Sequence, residues 1–247
     1  MSELLSCTHV LVDLDDSLFW SQRKLGHRAQ RAVAFKADGE AYGFMSSASD
    51  GLLTILERAR RVIPVTARVS TSLGRVQLSF SDYKICAQGG IIIDAEGHVD
   101  QAWLDEGQAR LRRLSERPHE LADRLADMPA LSGLRVVVRA DYDTAFFCTI
   151  RDPERRPERL AAVLPALSEQ LAPGWTLAAT KTDVVLRPEW LAKGAAVRYL
   201  YAHHIERPEL LIGLGDRHDD RDFLELCDYI LMPRQSDLWQ AAGGERG

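Results

Sequence analysis

The chain has little of what would mark a secreted, membrane-bound or zinc-dependent protein. Four cysteines, Cys7, Cys86, Cys148 and Cys227, are scattered through 247 residues without a Cys-x-x-Cys spacing, and three of them sit inside apolar runs. This argues for buried thiols in a reducing compartment and against a disulfide framework. The seven histidines are dispersed without ligand spacing, so no metal role falls to them. No run approaches the roughly 18 apolar residues of a membrane span, and Met1–Cys7 holds no cationic segment leading into an apolar one. Secretion and membrane insertion are not expected, and the cytoplasm is the expected location. Internal repeats and low-complexity tracts are also lacking. A formal net charge of −5 argues against nucleic-acid or anionic-membrane partners, leaving a small molecule as the expected one. Oligomeric state is not legible.

What is present is concentrated near the start. His9, Val10, Leu11 and Val12 form an apolar run that leads directly into Asp13, Leu14, Asp15, Asp16, Ser17 and Leu18. The run is an ordinary strand signal. Three carboxylates in four positions have two readings: a solvated acidic turn, since Asp favours strand ends, or a site, since buried carboxylates need a partner or a metal.

Further along, Phe19–Gly43 is polar, with a basic cluster (Arg23, Lys24, His27, Arg28), and carries no clean period. Ser47–Asp50 has the spacing of a helix start, and Leu52, Leu53, Leu56 and Ala59 continue it toward Arg60 and Arg61. Val62–Val65 is a second short strand, stopping at Thr66; Arg68–Leu78 reads as a weak helix. Tyr83–Cys86, then Gly89 and Gly90, then Ile91–Ile93 read as strand, hinge and strand. Between Leu104 and Leu186 the pattern becomes helix, strand, strand, helix, strand, strand, with Pro118 breaking the first helical stretch. The last third restores single alternation: a helix from Lys193 and Gly194, a third apolar run Leu210–Leu214 ending at Gly215 and Asp216, a helical Asp222–Leu226, and a strand Tyr229–Met232.

Alternation implies a doubly wound parallel sheet, and paired strands an antiparallel one. The expected fold is therefore α/β, a Rossmann-like parallel core from residues 1–94 and 188–247, with an inserted α+β lobe over residues 95–187. Asp13, Thr66 and Asp216 each follow an apolar strand, and the carboxyl ends of parallel strands line the crevice where ligands bind. Like-charged carboxylates about 4 Å apart repel by about 4 kcal/mol at an effective dielectric near 20, so their convergence calls for a cation. Oxygen ligands without Cys or His favour Mg²⁺.

With these motifs in order the chain resembles the haloacid dehalogenase superfamily of phosphohydrolases. Asp13-Leu14-Asp15-Asp16-Ser17-Leu18 matches the first motif of that superfamily, Thr66 the second, Lys193-Gly194 the third, and Gly215-Asp216 with Asp219 and Asp220 the fourth. Thr66-Ala67-Arg68 and Gln88-Gly89-Gly90 are similar to motifs of its large-capped branch, which includes sucrose-phosphate and trehalose-phosphate phosphatases and Cof-like sugar phosphatases. Ser17 for Thr, Ala67 for Gly, and Arg217 and His218 for small residues are departures. The resemblance implies that Asp13 is a nucleophile forming an aspartyl-phosphate, Asp15 a proton shuttle, and Thr66 and Lys193 catalytic partners. It also implies a Mg²⁺ held among Asp13, Asp15, Asp216 and Asp220, and substrate contacts from Arg68 and Asp219. Whether Asp219 or Asp220 orients metal waters or Lys193 stays open, and one of them can equally serve as a helix N-terminus. The implied reaction is Mg²⁺-dependent hydrolysis of a small phosphorylated metabolite, a sugar phosphate. Phosphosugar mutation or phosphotransfer is the alternative, then a non-catalytic domain that binds a phosphorylated ligand. Arg151, Arg155, Arg156 and Arg159 are either a substrate clamp in the inserted lobe or a solvated charge run.

Overall fold

The computed structural model describes residues 7–180 and 182–244; residues 1–6, part of the leader reading above, lie outside them. The chain divides into two compact units, one made of the residues up to Asp100 and from Ala192 onward, the other Gln101–Leu191.

The first unit is built on β1 (Thr8–Val12), all five residues of which are buried. Its apolar run has no polar alternation because it lies between two parallel neighbours and is covered on both faces. It pairs with β12 (Leu210–Leu214) on one side and β5 (Arg61–Pro64) on the other, and β13 (Tyr229–Leu231) completes the order β13-β12-β1-β5. Pro64 is tolerated because it is the last residue of its strand. A hairpin of β6 (Lys84–Cys86) and β7 (Ile91–Ile93) follows, joined to the sheet by a parallel bridge between Val65 and Ile85.

Three local details differ from the sequence reading. The stretch without a period holds a three-stranded antiparallel sheet, β2 (Trp20–Ser21), β3 (Arg31–Phe35) and β4 (Ala41–Met45), in the order β2-β4-β3. Register shifts around Ala34 break its alternation, which hid it. Helix α1 (Ser47–Leu56) is capped by Ser46 and Ser49, and it stops at Leu56, so Arg60 and Arg61 lie beyond it and Arg61 opens β5. The weak helix after Arg68 is one turn, Ser70–Leu73.

The second unit is an antiparallel sheet of β8 (Arg135–Asp141), β9 (Thr144–Arg151), β10 (Trp175–Ala179) and β11 (Val184–Pro188), in the order β10-β11-β9-β8. The β8–β9 turn places Tyr142 and Asp143 at φ 44° and 55°, the two positive values a tight hairpin needs. Helix α2 (Gln101–Arg112) ends before Pro118, which becomes the first residue of α3 (Pro118–Ala126). Leu121 and Leu125 of α3, with Leu160, Val163 and Leu167 of α4 (Pro157–Gln170), cover the sheet residues Cys148, Ile150, Val184 and Leu186.

Thus a parallel α/β core carries an inserted α+β unit. Among the described residues no helix is long and apolar enough to cross a membrane.

Candidate active site

Strand register brings the acidic residues together. Val12 pairs with Leu214 and with Pro64, so the chain leaves all three strands at one level. Asp13 then follows β1 and donates its N–H to the Leu214 carbonyl at 2.8 Å. Asp216 is two residues past β12, and Thr66 two past β5. All three side chains are buried, as is Lys193 at the start of α5 (Lys193–His203).

The contacts are dense. Lys193 Nζ lies 2.7 Å from Asp13 Oδ1 and 2.6 Å from Asp220 Oδ1. The Ser17 hydroxyl lies 2.9 Å from Asp13 Oδ2 and 3.1 Å from Asp216 Oδ1, so one proton serves two carboxylates. Asp220 Oδ2 accepts the backbone N–H groups of Asp216 and Arg217, both at 3.0 Å. Oxygens of Asp13, Asp216 and Asp220 all fall within 4.8 Å of one another.

Glycines hold the loops close. A Cβ on Gly194 would lie 2.2 Å from the Asp222 carbonyl oxygen, and its N–H donates to Asp222 Oδ2 at 2.8 Å. On Gly89, at φ 93°, it would lie 2.5 Å from the Ala192 carbonyl. Ala87 and Gln88 also take positive φ, and their N–H groups donate to the carbonyls of Arg68 and Thr66. The loop after β6 is thereby wedged between the Thr66 loop and the residue before Lys193. Thr66 Oγ1 accepts the Arg68 N–H at 3.2 Å.

Beside this cluster, Asp15 and Arg68 form a two-pronged pair with both contacts at 2.6 Å. The guanidinium is buried over the rings of Phe19 and Tyr42, at 5.1 and 5.2 Å, whereas the Asp15 side chain is 44% exposed. Asp16, at φ 64°, makes the turn after the acidic run, and its Oδ2 takes Lys24 at 2.6 Å and Arg217 at 3.2 Å.

Burial dominates the electrostatics of the cluster. Burial pushes the Asp13 carboxyl up to about 7 against the pull of Lys193, and Asp220 adds to the rise. Burial and then Asp13 push Asp216 up to about 8. Burial opposes the charge on Lys193, but Asp13 and Asp220 outweigh it and hold the ammonium well above its ordinary range. When ionised, the three carboxylates leave two negative charges unmatched by Lys193. An all-oxygen donor set with that deficit fits a hard divalent cation.

Of the residues singled out in the sequence, Asp13, Thr66, Lys193, Asp216 and Asp220 gather here, and Asp15 and Arg68 adjoin them. Asp219 is half-buried and outside the group of three carboxylates. Three of the four arginines of the inserted unit pair with local acids, Arg151 with Asp183 and Arg156 and Arg159 with Asp152, while Arg155 is exposed. Ser17, legible only as a motif hydroxyl, proves to join two carboxylates. Arg217, legible only as a departure, proves to touch Asp16 and Asp216.

No protein-family model and no curated protein matches this chain. Solved structures do. The sucrose-phosphatase of Synechocystis sp. PCC6803, solved in complex with sucrose and phosphate, is 19% identical at a TM-score of 0.58, covering 96% of this chain and 87% of that one. A haloacid dehalogenase-like hydrolase from Bacteroides thetaiotaomicron is 15% identical at 0.53, covering 91% and 94%. The C-terminal domain of the C. albicans trehalose-6-phosphate phosphatase is 16% identical at 0.54, covering 90% and 73%. The chain has the haloacid dehalogenase-like fold, a Rossmann-like core with an inserted α+β unit.

Proposed function

We propose that the protein is a Mg²⁺-dependent phosphomonoesterase that acts through an aspartyl-phosphate on Asp13, on a small phosphorylated metabolite of the sugar-phosphate class. The observation that carries the reading is the setting of Asp13: a buried carboxylate at the end of the central strand, contacted by Lys193 through one oxygen and Ser17 through the other. A carboxylate held at both oxygens is oriented for attack on phosphorus, and the covalent step divides one difficult displacement into two. Asp13, Asp216 and the main-chain carbonyl of Asp15 would hold the Mg²⁺. When bound, the metal supplies charge neutralisation at a phosphoryl oxygen.

The chain's own residues carry the rest. Lys193 balances the charge of Asp13 and of an incoming phosphoryl group, and Asp220 orients Lys193, since both Asp220 oxygens are already engaged. Thr66 donates its hydroxyl proton to a phosphoryl oxygen, its own oxygen being occupied as an acceptor. Asp15, the most exposed carboxylate of the acidic run, gives a proton to the leaving alcohol and takes one from the attacking water once its pair with Arg68 opens to the substrate. A sugar phosphate is supported by the fold shared with a sucrose-phosphatase and a trehalose-6-phosphate phosphatase.

A panel of sugar phosphates, phosphoglycerates and nucleotides assayed with Mg²⁺ tests this. Phosphate release is expected to stop with chelator and in Asp13→Asn; release that persists in Asp13→Asn would sink the reading. An isomerised phosphosugar without net phosphate release would mark transfer instead of hydrolysis.

A further inference from the structure

Arg217 stands where the resembled motif has a small residue, and it occupies a distinct electrostatic position. Its Nε lies 3.6 Å from Asp216 Oδ2, its Nη2 lies 3.2 Å from Asp16 Oδ2, and its main-chain N–H donates to Asp220. Asp16 does not depend on it, because Lys24 already holds the same Asp16 oxygen at 2.6 Å. Two cations therefore converge on one turn carboxylate. The second lies against Asp216, whose other oxygen faces Ser17 and Asp13.

We propose that Arg217 is a positioning residue that lowers the affinity of this site for a divalent cation and raises its affinity for the phosphoryl anion that follows. The inference rests on the reading of Asp216 as a metal ligand. The carboxylates Asp13, Asp216 and Asp220 set against Lys193 alone leave an excess of two negative charges, which a divalent ion would cancel. With Arg217 also present the excess is one, so a divalent ion leaves the pocket net positive. A guanidinium beside Asp216 thus repels the metal and, once the metal is in, attracts a phosphate dianion. Arg217 holds five donors in a fixed planar fork, a geometry suited to moving between a carboxylate and a phosphoryl oxygen.

The two effects have opposite signs, and that makes them separable from a simple structural role. In calorimetric titrations at pH 9, where the site carboxyls are ionised in wild type and variant alike, Arg217→Ala is expected to bind Mg²⁺ alone at least about tenfold more tightly than wild type, the order expected when a unit charge is removed from the neighbourhood of a divalent one. The same variant, saturated with Mg²⁺, is expected to bind inorganic phosphate about tenfold more weakly. Arg217→Lys keeps the charge and is expected to stay near wild type in both. Arg217→Gln keeps the length and hydrogen-bonding capacity and serves if the alanine variant does not fold. Weakening of both ligands would show that Arg217 merely braces its loop and would overturn the proposal, as would no change in either. If wild type itself binds no Mg²⁺, or Asp216→Asn binds it equally well, the metal-site reading fails rather than this one.

Discussion

Lys193 Nζ and Asp220 Oδ1 meet at 2.6 Å, and the second oxygen of Asp220 receives two backbone N–H groups of its own loop. One side chain thus orients the buried ammonium and closes the turn that presents Asp216. Asp220→Ala leaves both N–H groups without their acceptor and is expected to lower unfolding stability by about 1–3 kcal/mol. Asp220→Asn can keep that acceptor but turns an amide toward the ammonium. It is expected to stay closer to wild type in stability while losing turnover, and denaturant melts with steady-state rates check the split.

Close backbone approach predicts intolerance at Gly194. Its added Cβ would strike the main chain of Asp222, which cannot rotate away as a side chain would. Gly194→Ala is expected to cost at least about 1–3 kcal/mol by overpacking and to displace Lys193. Thermal melting gives the first effect, and phosphate release from a generic phosphoester the second.

Stability should depend on pH in the direction set by the raised carboxyls of Asp13 and Asp216. Groups whose folded-state values are raised bind more protons in the folded protein than in the unfolded chain. Their stabilising contribution is full below the ordinary carboxylate range and declines as pH rises through about 7 and 8. Without metal, this pair should make the melting temperature lower at pH 8.5 than at pH 6. Added Mg²⁺ should recover the difference, and its affinity should rise with pH over the same window because protons must leave first. A fluorescence melt at four pH values with and without Mg²⁺ decides it; a gap that Mg²⁺ does not narrow would contradict the assignment.

Asp15 predicts a dependence on the leaving group. An alkyl phosphate releases a strongly basic alcohol, whereas p-nitrophenyl phosphate releases a stable phenolate that needs little protonation. Asp15→Asn is expected to lose about 10²–10⁴ in kcat/KM, which reports the phosphorylation step, on the alkyl ester and far less on the aryl one. Equal losses in kcat/KM on both would remove Asp15 from protonation of the leaving group.

Much of this was legible in the chain because strand ends project onto one level. Apolar runs ending at Asp13, Thr66 and Asp216 announce themselves by the contrast of a buried strand with a polar terminus, and parallel pairing does the rest. Lys193 was legible through Gly194, a close approach written as a missing side chain. Less was legible where local pattern and tertiary structure part. β3 and β4 are bulged, so no alternation survives. Arg217 looked like an anomaly, because its partner Asp16, some 200 residues away, leaves no local mark. Asp219 and Asp220 are identical in sequence terms, and only the fold separates the engaged carboxylate from its half-buried neighbour. The arginine run of the inserted unit could not disclose its pairing with Asp152 and Asp183.

β1 is paired on one side with a strand about 50 residues away and on the other with one about 200 residues away. During synthesis, β5 can join β1 early, yet the opposite edge of β1 stays open until Leu210–Leu214 has left the ribosome. The continuous Gln101–Leu191 unit emerges in between. Long-range parallel pairing is slow and exposes an unpaired edge, so truncation before Leu210 removes the strand that covers β1. The nascent chain then carries an apolar edge with Asp13 at its end and no Asp216 beside it: a species prone to aggregate and unable to assemble its acidic cluster.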